Sequence, residues 1–148
     1  MLPLSQVAAD QVVAGGDAGR SSAALVLIVE DNSTNARLTA HMLKAGGYQT
    51  AIAPDGQQGL DMARELLPDL VLADLQMPGL DGLSLTRLLK QDAATAGIPI
   101  VALTAHAMAD HREQALEAGC VAFIAKPIRL QSFLDEVCDV LQRHAIGR

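Results

Sequence analysis

Short runs of apolar residues recur along the chain from residue 23 onward, separated by segments of mixed polarity. The first run, residues 25–29 (LVLIV), is continuous and is followed by acidic residues. A run this short is not typical of a helix, and its unbroken apolar character favours a strand that is buried on both faces. The more mixed run at residues 48–53 indicates a strand at the edge of a sheet. The pattern predicts strands at residues 25–29, 48–53, 70–73, 100–103 and 121–125.

Each predicted strand is followed by a segment in which apolar residues recur at helical spacing. Residues 109–118 are the most weakly apolar of these segments, and residues 130–141 carry the clearest amphipathic pattern. Glycine or proline ends several of them, as Gly46-Gly47 and Pro68 do. The stripes that define the first three helices are Leu38, Met42 and Ala45, then Leu60, Ala63 and Leu67, then Leu85, Leu88 and Leu89.

The alternation of five strands with five helices predicts an α/β fold, in which a parallel sheet carries helices on both faces. Five strands suit the flavodoxin-like, doubly wound order 2-1-3-4-5. We expect this domain to occupy residues 23–144. Residues 1–22 contain a stretch of small and polar residues and are interpreted as a flexible tail or linker, and residues 145–148 as a short C-terminal tail.

Polar residues stand where four of the predicted strands end: Glu30-Asp31, Asp74, Thr104 and Lys126. Ligands bind at the carboxyl ends of the strands in sheets of this kind, so we expect these side chains to meet at one edge. Three carboxylates in one small site repel one another unless positive charge neutralises them. Lys126 is one such charge. A hard divalent ion is the other, and the oxygen donors favour Mg²⁺ over Zn²⁺.

The same residues suggest a chemistry. A carboxylate can act as a nucleophile towards phosphorus, and Asp74 could in this way form an aspartyl phosphate. Catalysis of phosphoryl transfer consists mostly of positioning and charge neutralisation. Mg²⁺ and Lys126 could hold the phosphoryl oxygens, and Thr104 could donate a hydrogen bond to one of them. The chain therefore has the parts of a phosphoryl-accepting site.

Four segments, in this order, resemble the receiver domain of two-component response regulators. The resemblance covers about residues 25–141, roughly four-fifths of the chain. The segment at 74–82 has the pattern Asp-x-x-Met-Pro-x-x-Asp-Gly, which is fairly specific, and all four segments together are very specific. The matching segments are residues 29–32 (VEDN), 74–82 (DLQMPGLDG), 103–105 (LTA) and 123–127 (FIAKP).

The resemblance implies a role for each residue of the site. Asp74 would be the phosphoacceptor. Asp31, Asp74 and the backbone carbonyl of Gln76 would bind Mg²⁺ directly, and Glu30 would act through metal-bound water. Lys126 would pair with the phosphoryl group.

The resemblance also implies a switch, made of the Thr104 hydroxyl and the aromatic ring of Phe123. Phenylalanine has no hydroxyl with which to exchange hydrogen bonds, so this ring can only move between buried and exposed positions. We therefore expect a switch that partners read through packing on the last strand and helix, and Phe123→Ala to change phosphorylation-dependent partner binding.

A receiver of this kind would take its phosphoryl group from a histidine kinase or a histidine phosphotransfer domain, and it would catalyse only its own phosphorylation and dephosphorylation. Only residues 145–148 follow the last predicted helix, so we expect output through contact with a downstream protein. Two architectures fit: a single-domain regulator, or the receiver of a hybrid histidine kinase. The segment at 102–108 (ALTAHAM) resembles receivers of the hybrid kind.

Composition narrows the alternatives. A net charge of −6 argues against nucleic-acid binding, and no apolar run is long enough to cross a bilayer. We expect a cytoplasmic protein that makes no membrane contact, with its two cysteines reduced. Two other functions stay open. A haloacid-dehalogenase-like phosphatase would also use an aspartyl nucleophile and Mg²⁺, although it would place a D-x-D pair after its first strand. A degenerate receiver would bind partners without phosphate.

Overall fold

Five strands alternate with five helices in a computed structural model of the chain, which describes residues 24–104, 109–126 and 128–145. The predicted tail at 1–22 and most of the segment at 102–108 lie outside these residues. The strands are β1 (Leu25–Val29), β2 (Gln49–Ala53), β3 (Leu70–Asp74), β4 (Ile100–Thr104) and β5 (Ala122–Ala125). The helices are α1 (Ser33–Ala45), α2 (Gly56–Leu66), α3 (Gly82–Gln91), α4 (Ala109–Ala118) and α5 (Leu130–Ala145).

The strands form one parallel sheet in the order β2-β1-β3-β4-β5, which confirms the predicted fold and strand order. All five residues of β3 and of β4 are buried, as expected of central strands that helices cover on both faces. Among the described strands, the mixed run at β2 lies at an edge of the sheet and pairs on one side only. Burial therefore follows the position of each strand in the sheet.

Alternate residues of the strands supply two separate cores. In β1, Leu27 and Val29 belong to the core under α2 and α3, whereas Val26 and Ile28 belong to the core under α1 and α5. Side chains of successive strand residues point to opposite faces, so one apolar run serves both layers. α4 contributes Ala115 to the first core.

One predicted helical stripe lies only partly against the core. Met42 of this stripe packs against the core under α1 and α5, whereas Leu38 is 53% exposed, and the buried residues of α1 are Ala36, Thr39, Ala40 and Leu43. Small residues let this helix approach the sheet closely, and periodicity read from large apolar residues alone misses them. Leu67 was also expected in a helix, but it is half-exposed and caps α2 in a left-handed conformation, with φ of 48°.

Three helices begin at the carboxyl edge of the sheet with an N-cap side chain. Asn32, Asp55 and Asp81 each accept a hydrogen bond from the backbone N–H three residues further on. These caps satisfy donors that would otherwise lack partners, and so they fix where α1, α2 and α3 start. α5 extends to Ala145, the first residue of the predicted C-terminal tail. No helix in the described part of the chain is long and apolar enough to span a membrane.

Candidate functional site

The carboxyl ends of neighbouring strands bring distant residues together. Glu30 follows β1 directly, and Asp74 and Thr104 are the last residues of β3 and β4. Lys126 follows β5, and its backbone N–H donates to the Thr104 carbonyl at 2.8 Å, which extends the ladder between these two strands by one bond. Because all the strands are parallel, these residues lie along the same edge.

The acids form a compact cluster. Glu30, Asp31 and Asp74 each offer a carboxylate oxygen, and these three oxygens lie within 4.8 Å of one another. The cluster is unevenly exposed: Glu30 and Asp74 are buried, at 3% and 5% exposure, whereas Asp31 is exposed. Two acids therefore sit in the floor of the site and one at its rim. The sequence placed all three at this edge, and the structure brings them together.

Lys126 neutralises the floor of the cluster. Its Nζ lies 2.8 Å from Glu30 Oε1 and 3.1 Å from Asp74 Oδ2, so one ammonium group pairs with two carboxylates. Burial raises the pKa of Glu30 and proximity to Asp74 adds to the rise, while the bond to Lys126 opposes it. For Lys126, burial would lower the pKa, but hydrogen bonds to Glu30 and Asp74 outweigh it and the net direction is upward. The lysine is thus held in its charged form.

Backbone donors orient the two buried carboxylates. The N–H of Gln76 donates to Asp74 Oδ1 at 2.9 Å, and the N–H of Asn32 donates to Glu30 Oε2 at 3.2 Å. Each acid is therefore held by Lys126 through one oxygen and by a nearby amide through the other. The sequence predicted that the backbone carbonyl of Gln76 binds the metal. The structure adds that the backbone N–H of Gln76 orients the Asp74 carboxylate.

The remaining predicted residues lie near this cluster in different ways. Thr104 is 1% exposed at the end of the strand beside Asp74's own strand. Phe123 is one strand further out, half-buried in β5, where it packs against the core beneath α2 and α3. With Phe133 it also lines a groove of about 330 Å³ between β5 and α5, whose polar residues are Arg129, Ser132 and Glu136. The switch roles of Thr104 and Phe123 stay predictions.

The sequence placed Lys126 among the acids but did not identify Glu30 as its partner. The two residues are 96 positions apart, so no local spacing connects them. One signal was available: a lysine that follows an apolar strand is seldom buried without a partner. The sequence predicted that Lys126 neutralises the three carboxylates and pairs with a phosphoryl group, and the structure adds that Glu30 and Asp74 are the acids it binds.

Comparison with known proteins decides the family. Residues 26–138 match the family of the response regulator receiver domain. The chain belongs to this family. It is therefore a receiver domain of two-component signalling, and its fold and acid cluster are those that the sequence predicted for such a domain.

Individual relatives cover nearly the whole described chain. The polar-differentiation response regulator DivK of Brucella anthropi is 42% identical over 112 residues, which are 76% of this chain and 91% of that protein. The receiver domain of a sensor histidine kinase from Pseudomonas aeruginosa, solved with a magnesium ion coordinated in its active site cleft, is 35% identical. It covers 86% of this chain and 100% of its own, with a TM-score of 0.73. The signal receiver domain of a Syntrophus aciditrophicus histidine kinase is 33% identical, covers 82% and 92%, and has a TM-score of 0.75.

Proposed function

We propose that this receiver domain accepts a phosphoryl group on Asp74 in the presence of Mg²⁺ and that the modified form changes which proteins it binds. The donor would be a phosphohistidine of a histidine kinase or of a histidine phosphotransfer domain. The observation that carries the proposal is the trio of clustered acids, two of them bound by the Lys126 ammonium. Such a site has the charges that a phosphoryl group and a divalent ion require.

The acid cluster fits Mg²⁺ by the nature of its donors. All three side chains offer carboxylate oxygens, which are the ligands that this hard ion prefers. Asp31, Asp74 and the Gln76 carbonyl would bind it directly, and Glu30 through water. The ion would supply positive charge to the phosphoryl oxygens. The Pseudomonas receiver domain with magnesium in its cleft supports this assignment.

The side chains of the receiver have separate tasks in the transfer. An Asp74 oxygen attacks the phosphorus atom, the new P–O bond forms as the donor's P–N bond breaks, and the imidazole leaves with the electron pair. Lys126 is already within hydrogen-bonding distance of Asp74 and would turn to the phosphoryl oxygens. Thr104 would donate its hydroxyl hydrogen to one of these oxygens. The buried position of Asp74 keeps its orientation fixed for in-line attack.

The output would pass through Thr104 and Phe123. Thr104 moving towards the phosphoryl group would leave space beside β5, and the Phe123 ring would then change how deeply it packs. Phe123 already lines the groove between β5 and α5, where a partner would detect that change. The two architectures, a single-domain regulator and the receiver of a hybrid kinase, both stay predictions. The cytoplasmic location also stays a prediction. The relatives described above are a response regulator and the receiver domains of two histidine kinases.

The test is labelling with acetyl phosphate and Mg²⁺, followed by mass spectrometry of the intact protein. We expect wild type to gain one phosphoryl group and Asp74→Asn to gain none. Asp139→Asn is a matched control, because it removes an acid from an exposed position on α5 and should label as wild type does. Equal labelling of wild type and Asp74→Asn would refute the assignment.

The two alternatives predict different results. A haloacid-dehalogenase-like phosphatase would release phosphate from a phosphatase substrate over many turnovers, and the match to the receiver family favours the receiver instead. A degenerate receiver would not label at all. The complete set of acids with its lysine favours an active site over a degenerate one.

A further inference from the structure

Two glycines contact the loop that follows Asp74. This loop, residues 75–81, runs from Asp74 at the end of β3 to the first residue of α3. Leu75 and Met77 anchor its start in the core, at 8% and 7% exposure. The Leu75 N–H also donates to the Leu103 carbonyl at 3.0 Å, so the loop leaves the sheet only after this bond.

Gly82 lies directly against the backbone of Asp74. A Cβ at position 82 would lie 2.5 Å from the Asp74 carbonyl oxygen and 3.0 Å from Leu75 Cα, and real Cβ contacts below 3.0 Å essentially never occur. Gly82 is buried, and its own carbonyl accepts a hydrogen bond from the buried Thr86 hydroxyl at 2.7 Å. This bond fixes the first turn of α3, and the buried side chains of Leu85 and Leu89 hold the helix against the core.

Gly56 makes the same kind of contact at the other end of the loop. It is the buried first residue of α2, and a Cβ there would fall far inside the 3.0 Å limit from the Leu80 carbonyl oxygen. The Asp55 cap, which accepts from the Gln58 N–H at 2.8 Å, fixes this end of α2. The first residue of α3 thus contacts the start of the loop, and the first residue of α2 contacts its end.

The need for glycine at these positions is a matter of space. Neither residue has the positive φ that favours glycine, which is seen instead at Gly47, Gly79 and Gly119. Alanine could adopt the same backbone dihedral angles at 56 and 82. The closest atoms it would meet there are backbone atoms, which cannot rotate away as a flexible side chain can.

We propose that Gly56 and Gly82 are positioning residues for phosphorylation: their missing Cβ atoms let α2 and α3 press the 75–81 loop into the place where Asp74 and the Gln76 carbonyl can bind Mg²⁺ together. This inference rests on the proposed function. A methyl group at either position moves the loop, and a displacement of about 1 Å at a reacting group can cost roughly 100-fold in rate.

The experiment measures two quantities for wild type, Gly56→Ala and Gly82→Ala. The first is the Mg²⁺ affinity without acetyl phosphate, taken from the rise of the thermal midpoint with Mg²⁺ concentration, and the second is the rate of acetyl phosphate labelling over the same Mg²⁺ range. We expect both variants to need about tenfold more Mg²⁺ for half the maximal rise in thermal midpoint and for half-maximal rate, because a shift of the loop displaces the Gln76 carbonyl relative to Asp31. Gly82→Ala should also lower the rate at saturating Mg²⁺ by about tenfold or more, because it displaces Asp74 itself.

Two controls separate positioning from general damage. Gly97→Ala adds a methyl group where no heavy atom lies within 4 Å, so it should match wild type in both quantities. Val140→Ala removes part of a fully buried side chain from α5, so it should lower the thermal midpoint and leave the Mg²⁺ dependence unchanged. If Val140→Ala shifts the Mg²⁺ dependence as far as the glycine variants do, positioning is refuted.

Other results are equally decisive. Wild-type Mg²⁺ dependence and rate in both glycine variants would overturn the inference. If both glycine variants fail to fold, Asp81→Ala replaces them. This substitution removes the bond from the Ser84 N–H and so loosens the start of α3 without adding an atom at the contact. It must raise the half-maximal Mg²⁺ concentration, or the inference is wrong. A wild type that does not label would overturn the proposed function and this inference with it.

Discussion

Glu30 is the most deeply buried acid of the site, and its titration should be visible in the stability of the whole domain. Its pKa is raised from the ordinary value of 4.5, mainly by burial. Below that value the carboxyl group is protonated in both the folded and the unfolded chain. As the pH rises, the unfolded chain loses the proton first, so the free energy of unfolding falls until the folded-state pKa is passed.

We therefore expect Glu30→Gln to be more stable than wild type at pH 7 when a chelator is present, and the gain to disappear as the pH falls below about 4.5. The glutamine carbonyl can still accept a hydrogen bond from Lys126, so the substitution removes mainly the charge. Urea unfolding at a series of pH values measures the difference. Glu117→Gln, at an exposed position on α4, should follow wild type throughout. A Glu30→Gln protein that is less stable at pH 7 would contradict the expectation.

At the scale of residues, the sequence predicted which residues form the site but not which of them contact one another. Glu30, Asp31, Asp74, Thr104 and Lys126 could be placed at one edge because each follows or ends a predicted strand, and strand order brings such ends together. The contacts within the site depend on distances that no spacing encodes. The pair of Glu30 with Lys126 and the bond from the Gln76 N–H to Asp74 became visible only in three dimensions.

The elements differ in how firmly they are attached to the sheet. α5 buries Phe133, Val137 and Val140 at 1% exposure or less, and these large side chains fill the core under α1 and α5. In the part of α4 whose side chains are described, the buried residues are Ala115 and Ala118. Burying a large apolar side chain contributes about 1.5–3 kcal/mol, and an alanine methyl contributes much less. The described side chains of α4 thus attach this helix to the sheet less strongly than those of α5 attach α5.

We expect the amides of α4 to exchange with solvent deuterium at least about tenfold faster than those of α5, since about 1.4 kcal/mol in the free energy of local opening gives that factor. Hydrogen exchange followed by nuclear magnetic resonance or mass spectrometry measures this. α3 provides an internal comparison, because it buries Leu85 and Leu89 and should be protected like α5. Equal protection of α4 and α5 would show that burial of large side chains does not decide the attachment of these helices.

The elements also show what periodicity can predict. Apolar runs placed the strands to within one or two residues, because a buried strand is apolar at nearly every position. Helical phase was less secure. In α1 the buried residues Ala36, Thr39 and Ala40 are small, so a stripe drawn through Leu38 fell on the exposed side. Hydrophobic pattern locates a helix well, and the closeness of its packing decides which face is buried.

At the scale of the whole molecule, the acid cluster adds to an existing excess of negative charge. The chain has 17 acidic and 11 basic residues, and three of the acids meet in one site where a single lysine pairs with two of them. Like charges at close range destabilise the folded state, so the protein holds this arrangement at a cost in stability. A divalent cation that binds only the folded chain would offset that cost.

We expect Mg²⁺ at about one hundred times its dissociation constant to raise the free energy of unfolding by about 2.7 kcal/mol, because binding to the folded state alone displaces the unfolding equilibrium by this amount. Asp31→Asn should abolish most of the increase at the same Mg²⁺ concentration, since it removes an expected ligand, and should itself stabilise the metal-free protein by removing one of three neighbouring charges. Urea unfolding with and without Mg²⁺ measures both effects. Sodium chloride at matched ionic strength separates binding from screening, because screening acts on all surface charges and does not depend on Asp31. If sodium chloride stabilises as much as Mg²⁺ does, or if Asp31→Asn keeps the full increase, the three acids do not form a Mg²⁺ site. Among the residues that the structure describes, Lys126 would then be the positive charge that neutralises Glu30 and Asp74.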